Sequence, residues 1–154
     1  LPDDIRILSS CSAPTGFHAR YTAKRKTYVY NFYVSPVILP LKDRYATRID
    51  DFSTEKAQKI LDEIVGEHDF KCFLASGSEI KTTVRTIYSA IVKKDGIDVK
   101  IEICGNGFLY NMVRIMVGTL LRVQQGKIAP DEIPSIIEKK NRKYSGPTAQ
   151  ACGL

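Results

Sequence analysis

The sequence has 154 residues, 44% hydrophobic and 26% charged, with a formal net charge of +6; such a chain can build one compact core, which excludes a pure linker or a disordered tract. Its most apolar stretch, residues 108–123, is shorter than a bilayer crossing and is broken by Asn111 and Arg114, so no membrane span is expected. Cys11, Cys72, Cys104 and Cys152 form no C-x-x-C pair and the only histidines are His18 and His68, which disfavours a zinc site and a disulfide scaffold; with no secretory signal at the start, the expected compartment is the reducing cytoplasm.

In chain order, residues 5–11 predict a short strand, followed by a turn at Pro14 and Gly16 and then Phe17-His18-Ala19-Arg20. Over residues 27–34, Tyr28, Tyr30, Phe32 and Val34 fall on one face at period two, a strand ending at Ser35-Pro36. Ser53 is placed to cap a helix in which Ala57, Ile60, Leu61 and Ile64 recur at helical spacing until Gly66. Residues 85–94 are rich in strand formers, Asp95-Gly96 signals a type I′ turn, and Ile97, Val99, Ile101 and Ile103 alternate with Asp98, Lys100 and Glu102, so a hairpin with one buried face is expected. Residues 108–123 are apolar nearly all round and predict a helix buried within the domain. Pro130 or Pro134 suits the first turn of a third helix carrying Ile133, Ile136 and Ile137. The pattern predicts an α+β fold, a mostly antiparallel sheet packed with helices.

Charge is uneven along this chain. No acid occurs between Ile5 and Lys42, where Arg6, Arg20, Lys24, Arg25, Lys26 and Lys42 stand, and beyond Glu138 every charged residue is basic: Lys139, Lys140, Arg142 and Lys143. Two basic segments flanking a mildly acidic middle suit a polyanion such as nucleic acid, or are solvated surface. Arg114 stands among Met112, Val113, Ile115, Met116 and Val117. A buried guanidinium without an acceptor is prohibitively costly, so a carboxylate, a phosphate or a cluster of carbonyls must meet it: it pairs with Glu102 or another acid of this chain, lies at a wet edge of the helix, or meets a catalytic carboxylate. Tyr28 and Tyr30 follow directly on Lys24-Arg25-Lys26, a pattern that serves either stacking on unpaired bases or ordinary strand packing. Gly105-Asn106-Gly107 serves either a phosphate at a helix N-terminus or the hairpin-to-helix turn. His18 has no nucleophile motif beside it and reads as a hydrogen-bonding loop residue rather than a general base, and Asp50 suits helix-end chemistry before Ser53.

Taken together, Phe17-His18-Ala19-Arg20 with Ala23, Tyr28-Val29-Tyr30, Arg85-Thr86-Ile87, the block from Gly107 through Phe108, Leu109, Tyr110, Asn111, Met112 and Val113 to Arg114 with Val117-Gly118, and Gly146-Pro147-Thr148-Ala149 resemble the C-terminal half of the TruA-type tRNA pseudouridine synthases. The resemblance covers nearly the whole chain in the family's order. It implies a pseudouridine synthase-like half that acts on uridine in the anticodon stem-loop region of tRNA, with no cofactor and no metal. It also implies Tyr28 as the tyrosine against the target base, Arg114 as the partner of the essential aspartate, and Phe108 and Leu109 as apolar pocket lining. Arg20, Lys24, Arg25 and Lys26 are expected phosphate contacts by composition. The family's Arg-Thr-Asp-x-Gly-Val-His segment has no counterpart here. Residues 1–154 are therefore expected to be the C-terminal domain, separated from the N-terminal half that bears the aspartate and inactive alone, with tRNA, that half and a second copy as partners. The rival expectations are a non-catalytic structured-RNA-binding module and a degenerate paralogue kept for interactions.

Overall fold

The computed structural model describes residues 1–3, 5–77 and 80–154. Five strands, β1 (Lys26–Val34), β2 (Thr47–Ile49), β3 (Gly66–Asp69), β4 (Val84–Asp95) and β5 (Asp98–Gly105), form one sheet in the order β2-β1-β5-β4-β3. Only the β1–β2 pair is parallel, so the expected α+β fold with a mostly antiparallel sheet is what forms. Helices α1 (Pro40–Asp43), α2 (Thr54–Glu63), α3 (Met112–Gln124) and α4 (Ile133–Glu138) complete the domain with short 3-10 turns. Among the described residues no helix is long and apolar enough to cross a membrane.

Alternation makes the core. Tyr30 and Phe32 of β1, Val99, Ile101 and Ile103 of β5, and Ile87 and Ala90 of β4 all turn inward and are almost wholly buried against α2, α3 and α4. Ser53 caps α2, its Oγ accepting from the Lys56 amide at 3.3 Å, and Ala57, Ile60 and Leu61 fill the buried face as their spacing requires. Pro134 sits in the first turn of α4, with Ile133, Ile136 and Ile137 buried.

The last stretch of the chain straps these layers together. The Gly146 amide donates to Thr119 Oγ1 at 2.8 Å and the Ala149 amide to the Arg114 carbonyl at 3.0 Å, so the strap lies along α3. Further on, Tyr30 Oη donates to the Gln150 carbonyl at 2.7 Å and Asn31 Nδ2 to the Gly153 carbonyl at 3.2 Å. The approach to α3 is backbone against backbone, because a Cβ on Gly118 would lie 1.7 Å from the Pro147 carbonyl oxygen.

Three local expectations are corrected. Residues 5–11 form no strand: they pair with no neighbour, and Leu8 is 96% exposed. A strand exists only through its ladder, and none is offered here. The hairpin loop is Gly96-Ile97, between the paired Asp95 and Asp98, and only Gly96 has positive φ (+55°); a type I′ turn needs both. Ile97 therefore sits in the turn, not the buried face. Finally, α3 begins at Met112 rather than at residue 108, because Asn111 adopts a left-handed φ of 56° and breaks the helical run. Arg114 thus lies in the first turn of α3, not in its middle.

Candidate active site

Where β1 begins and β5 ends, Lys26 pairs with Gly105, and the chain then turns through Asn106-Gly107 into Phe108 and the start of α3. That turn and the start of α3 enclose an open cleft of about 580 Å³ whose lining includes Arg20, Tyr28, Arg85, Phe108, Leu109 and Arg114. Among the described residues the lining holds three guanidinium groups and no Asp or Glu side chain.

Tyr28 and Tyr30, one alternation apart, have different roles. Tyr30 is wholly buried, bonded to Thr47 Oγ1 at 2.8 Å and to the Gln150 carbonyl, and burial raises its pKa above the usual phenol value although the Thr47 hydrogen bond works the other way. It belongs to the core, so the strand-packing alternative holds for Tyr30. Tyr28 is 39% exposed, at the point where β1 leaves the core, and meets Phe108 edge to face with centroids 5.1 Å apart. Among the described residues its hydroxyl makes no hydrogen bond. Leu109, which also lines the cleft, is buried.

Arg114 finds carbonyls rather than an acid. Its Nε donates to the Ala149 carbonyl at 2.8 Å and its Nη1 to Asn111 Oδ1 at 3.2 Å. Glu102 is paired with Lys93 at 2.8 Å, so the expected alternative of an Arg114–Glu102 pair is set aside. None of the ion pairs among the described residues involves Arg114. Two of its five N–H donors are thus held by protein, which fixes the plane of the guanidinium where it lines the cleft.

The basic segment before β1 divides. Arg20 lines the cleft, and His18 holds it there by a turn: His18 Nδ1 accepts from the Arg20 and Tyr21 amides, each at 3.2 Å. Lys24, Arg25 and Lys26 lie outside the lining, with Lys24 and Arg25 exposed and the Arg25 guanidinium 5.1 Å above the Tyr88 ring. The glycine segment is a turn, since the Asn106 amide donates to the Thr86 carbonyl and Asn106 Oδ1 accepts from the Thr86 amide, both at 3.0 Å, ahead of the first turn of α3. Asp50 does not cap a helix; it pairs with Arg48, which also donates to the Ser35 carbonyl. Because Ile49 is in register with Val34, six residues along β1 from Tyr28, Asp50 lies roughly 20 Å from the cleft.

Arg85 is the lining residue that the pattern of residue types does not single out. On β4, Ala90 faces the core, but the register shifts between Ile87 and Ser89, after which Ile87 faces the core. This bulge moves Arg85 onto the cleft side, where its Nη1 donates to the Thr82 and Val84 carbonyls at 3.0 and 2.6 Å.

An α+β domain that opens an arginine-lined cleft beside an exposed tyrosine offers guanidinium donors for an anion next to an aromatic ring on which a flat base could stack. The profile of the family described as tRNA pseudouridine synthase matches residues 60–154, and the chain belongs to that family. Along its whole length it is similar to proteins named tRNA pseudouridine synthase A: 47% identical to that of Acetivibrio thermocellus, 45% to that of Ruminiclostridium cellulolyticum and 43% to that of Thermoanaerobacter pseudethanolicus. The chain spans 64% of the length of each of these relatives.

Proposed function

We propose that residues 1–154 are the C-terminal domain of a tRNA pseudouridine synthase. The intact enzyme converts uridine to pseudouridine in the anticodon stem-loop region of tRNA, acting in the cytoplasm as a homodimer. The observation that carries this reading is the cleft itself: three guanidiniums beside Phe108 and a tyrosine whose hydroxyl is free among the described residues. Isomerisation detaches the base from the ribose, turns it and rejoins it through carbon, which needs an extruded nucleotide, phosphate grips and a poised carboxylate. Arg20 and Arg85 suit the phosphates, Tyr28 with Phe108 the extruded base, and Arg114 the carboxylate. That carboxylate comes from the N-terminal half, a polypeptide segment outside residues 1–154.

Deleting the gene should remove pseudouridine from the anticodon stem-loop region of cellular tRNA, and an Arg114→Ala copy should fail to restore it where the parent copy succeeds. Unchanged pseudouridine in the deletion strain would remove the basis for this reading.

In the intact enzyme, Tyr28→Phe should bind tRNA nearly as the parent does and lose most product formation, provided that the hydroxyl acts chemically. Tyr28→Ala should in addition lose about 1 to 3 kcal/mol of base stacking. Parent-like binding and turnover in both variants would return Tyr28 to a packing role.

Lys24, Arg25 and Lys26 lead into β1 outside the cleft lining, and neutralising all three should flatten the fall of log K with log salt by up to about 2.7, at roughly 0.9 per phosphate contact. An unaltered slope would mean that the RNA backbone does not pass over β1's first residues.

A further inference from the structure

Helix α3 carries a guanidinium in each of its end turns. Arg114 lines the cleft and Arg122, eight residues and about 12 Å further along the same rigid rod, lines a groove of about 540 Å³ with Lys127, Arg142 and Lys143. Around this groove the 3-10 turn Arg142–Tyr144 is held firmly: Asn141 Oδ1 accepts from the Lys143 amide at 3.1 Å, and Ser145 Oγ donates to the Cys72 carbonyl at 2.7 Å. The Tyr144 ring gathers one more cation beside Lys143, with Lys139 Nζ 4.7 Å and Lys143 Nζ 4.9 Å from its centroid. Among the described residues the groove lining contains no carboxylate. The neighbouring Lys140 is paired with Asp69 at 3.1 Å, which leaves the groove's own four cations to repel one another.

A further hollow lies between the groove and the cleft. Lined in part by Lys71, Lys140, Arg142 and Thr148, it shares Gly77 with the cleft and Arg142 with the groove. Cleft, hollow and groove thus adjoin in turn, a course with basic side chains in every part. Like charges collected along a joined set of depressions raise the local potential and favour an anion long enough to follow them.

We propose that this course is a second phosphate-binding surface, which carries the backbone of the bound RNA away from the cleft, past Lys71 and Arg142, into the groove at the far end of α3. The proposal rests on the RNA reading above and extends it to a surface remote from the reacting nucleotide. A nucleic-acid strand is favoured over an acidic peptide because the course starts beside Tyr28 and Phe108, where a base can stack, and continues at a spacing set by one helix.

The test is titration of the protein with unfractionated bacterial tRNA across about 50 to 200 mM salt, comparing the parent with a Lys127→Gln, Lys143→Gln double variant. Both lysines are exposed, so the fold should be kept. The variant's log K against log salt should be shallower by about 1.8, at roughly 0.9 per contact. In the unaltered protein, tRNA should shield Lys127, Lys139 and Lys143 from acetylation while Lys56 and Lys59 on α2 react as before, a readout that needs no variant. If the parent shows no salt-dependent tRNA binding, the RNA reading falls and this surface with it. If the parent binds but the slope and the acetylation pattern are unchanged, only the second surface is overturned. Shielding by heparin and not by tRNA would also overturn it, in favour of another polyanion.

Discussion

Gly118→Ala is expected to lower the melting temperature by about 6 to 12 °C. Overpacking alone costs typically 1 to 3 kcal/mol, and at about 2 to 4 °C per kcal/mol in a domain of this size the upper end applies here. The reason is that the added Cβ would stand 1.7 Å from the Pro147 carbonyl oxygen, which is backbone and has no rotamer to yield. The strap must lift from α3, and with it goes the Ala149 carbonyl that holds Arg114 Nε. The variant should therefore bind tRNA worse than its residual folded fraction explains. Gly107→Ala is the control, since its Cβ would meet Arg85 Nε and Cδ only at 3.5 and 3.6 Å; its melting temperature should stay within about 2 °C of the parent. Differential scanning calorimetry decides the matter, and equal melts for the two variants would show that the strap is not seated as described.

Residues 1–154 alone are expected to form no detectable pseudouridine from tRNA, and adding the carboxylate-bearing half as a separate polypeptide should restore turnover if the two halves dock. Misplacing a reacting group by even 1 Å can cost on the order of a hundredfold in rate. Asp50, the acid whose sequence context first invites testing, lies roughly 20 Å from Tyr28 by strand geometry and is held by Arg48. Asp50→Asn should consequently change nothing in the restored enzyme. Robust turnover by residues 1–154 alone, measured as tritium release from uracil-labelled tRNA, would sink the proposal that the carboxylate comes from elsewhere.

How far the cleft was legible in the residues depends on whether its signals are local. Tyr28 announces itself because it opens a strictly alternating run just after three cations, and Arg114 because a guanidinium among apolar neighbours demands an explanation. Helix α2 is legible for the same reason, its cap and apolar spacing lying within a dozen residues. Arg85 is hidden: alternation counted back from the hairpin turn puts it on the outer face, and only the irregularity between Ile87 and Ser89 turns it inward. Nothing in residue type marks that bulge. The strap is hidden differently, because residues 145–153 have neither helical nor strand period and take their conformation from contacts with α3 and β1. Residues 5–11 show the converse error, strand-forming composition without a partner strand to answer it.

The strap also bears on when the protein becomes competent. Tyr30 and Gln150, 120 positions apart, are joined by a hydrogen bond, and Arg114 is oriented by a carbonyl 35 positions downstream. Closures of such long loops come at a large entropic cost and are rewarded only when most of the fold is in place. In a molecule whose last stretch is not yet seated, the Arg114 guanidinium therefore lacks the carbonyl that holds its Nε. On the proposed reading, the orientation of that one side chain is completed late, when the end of the chain seats on α3.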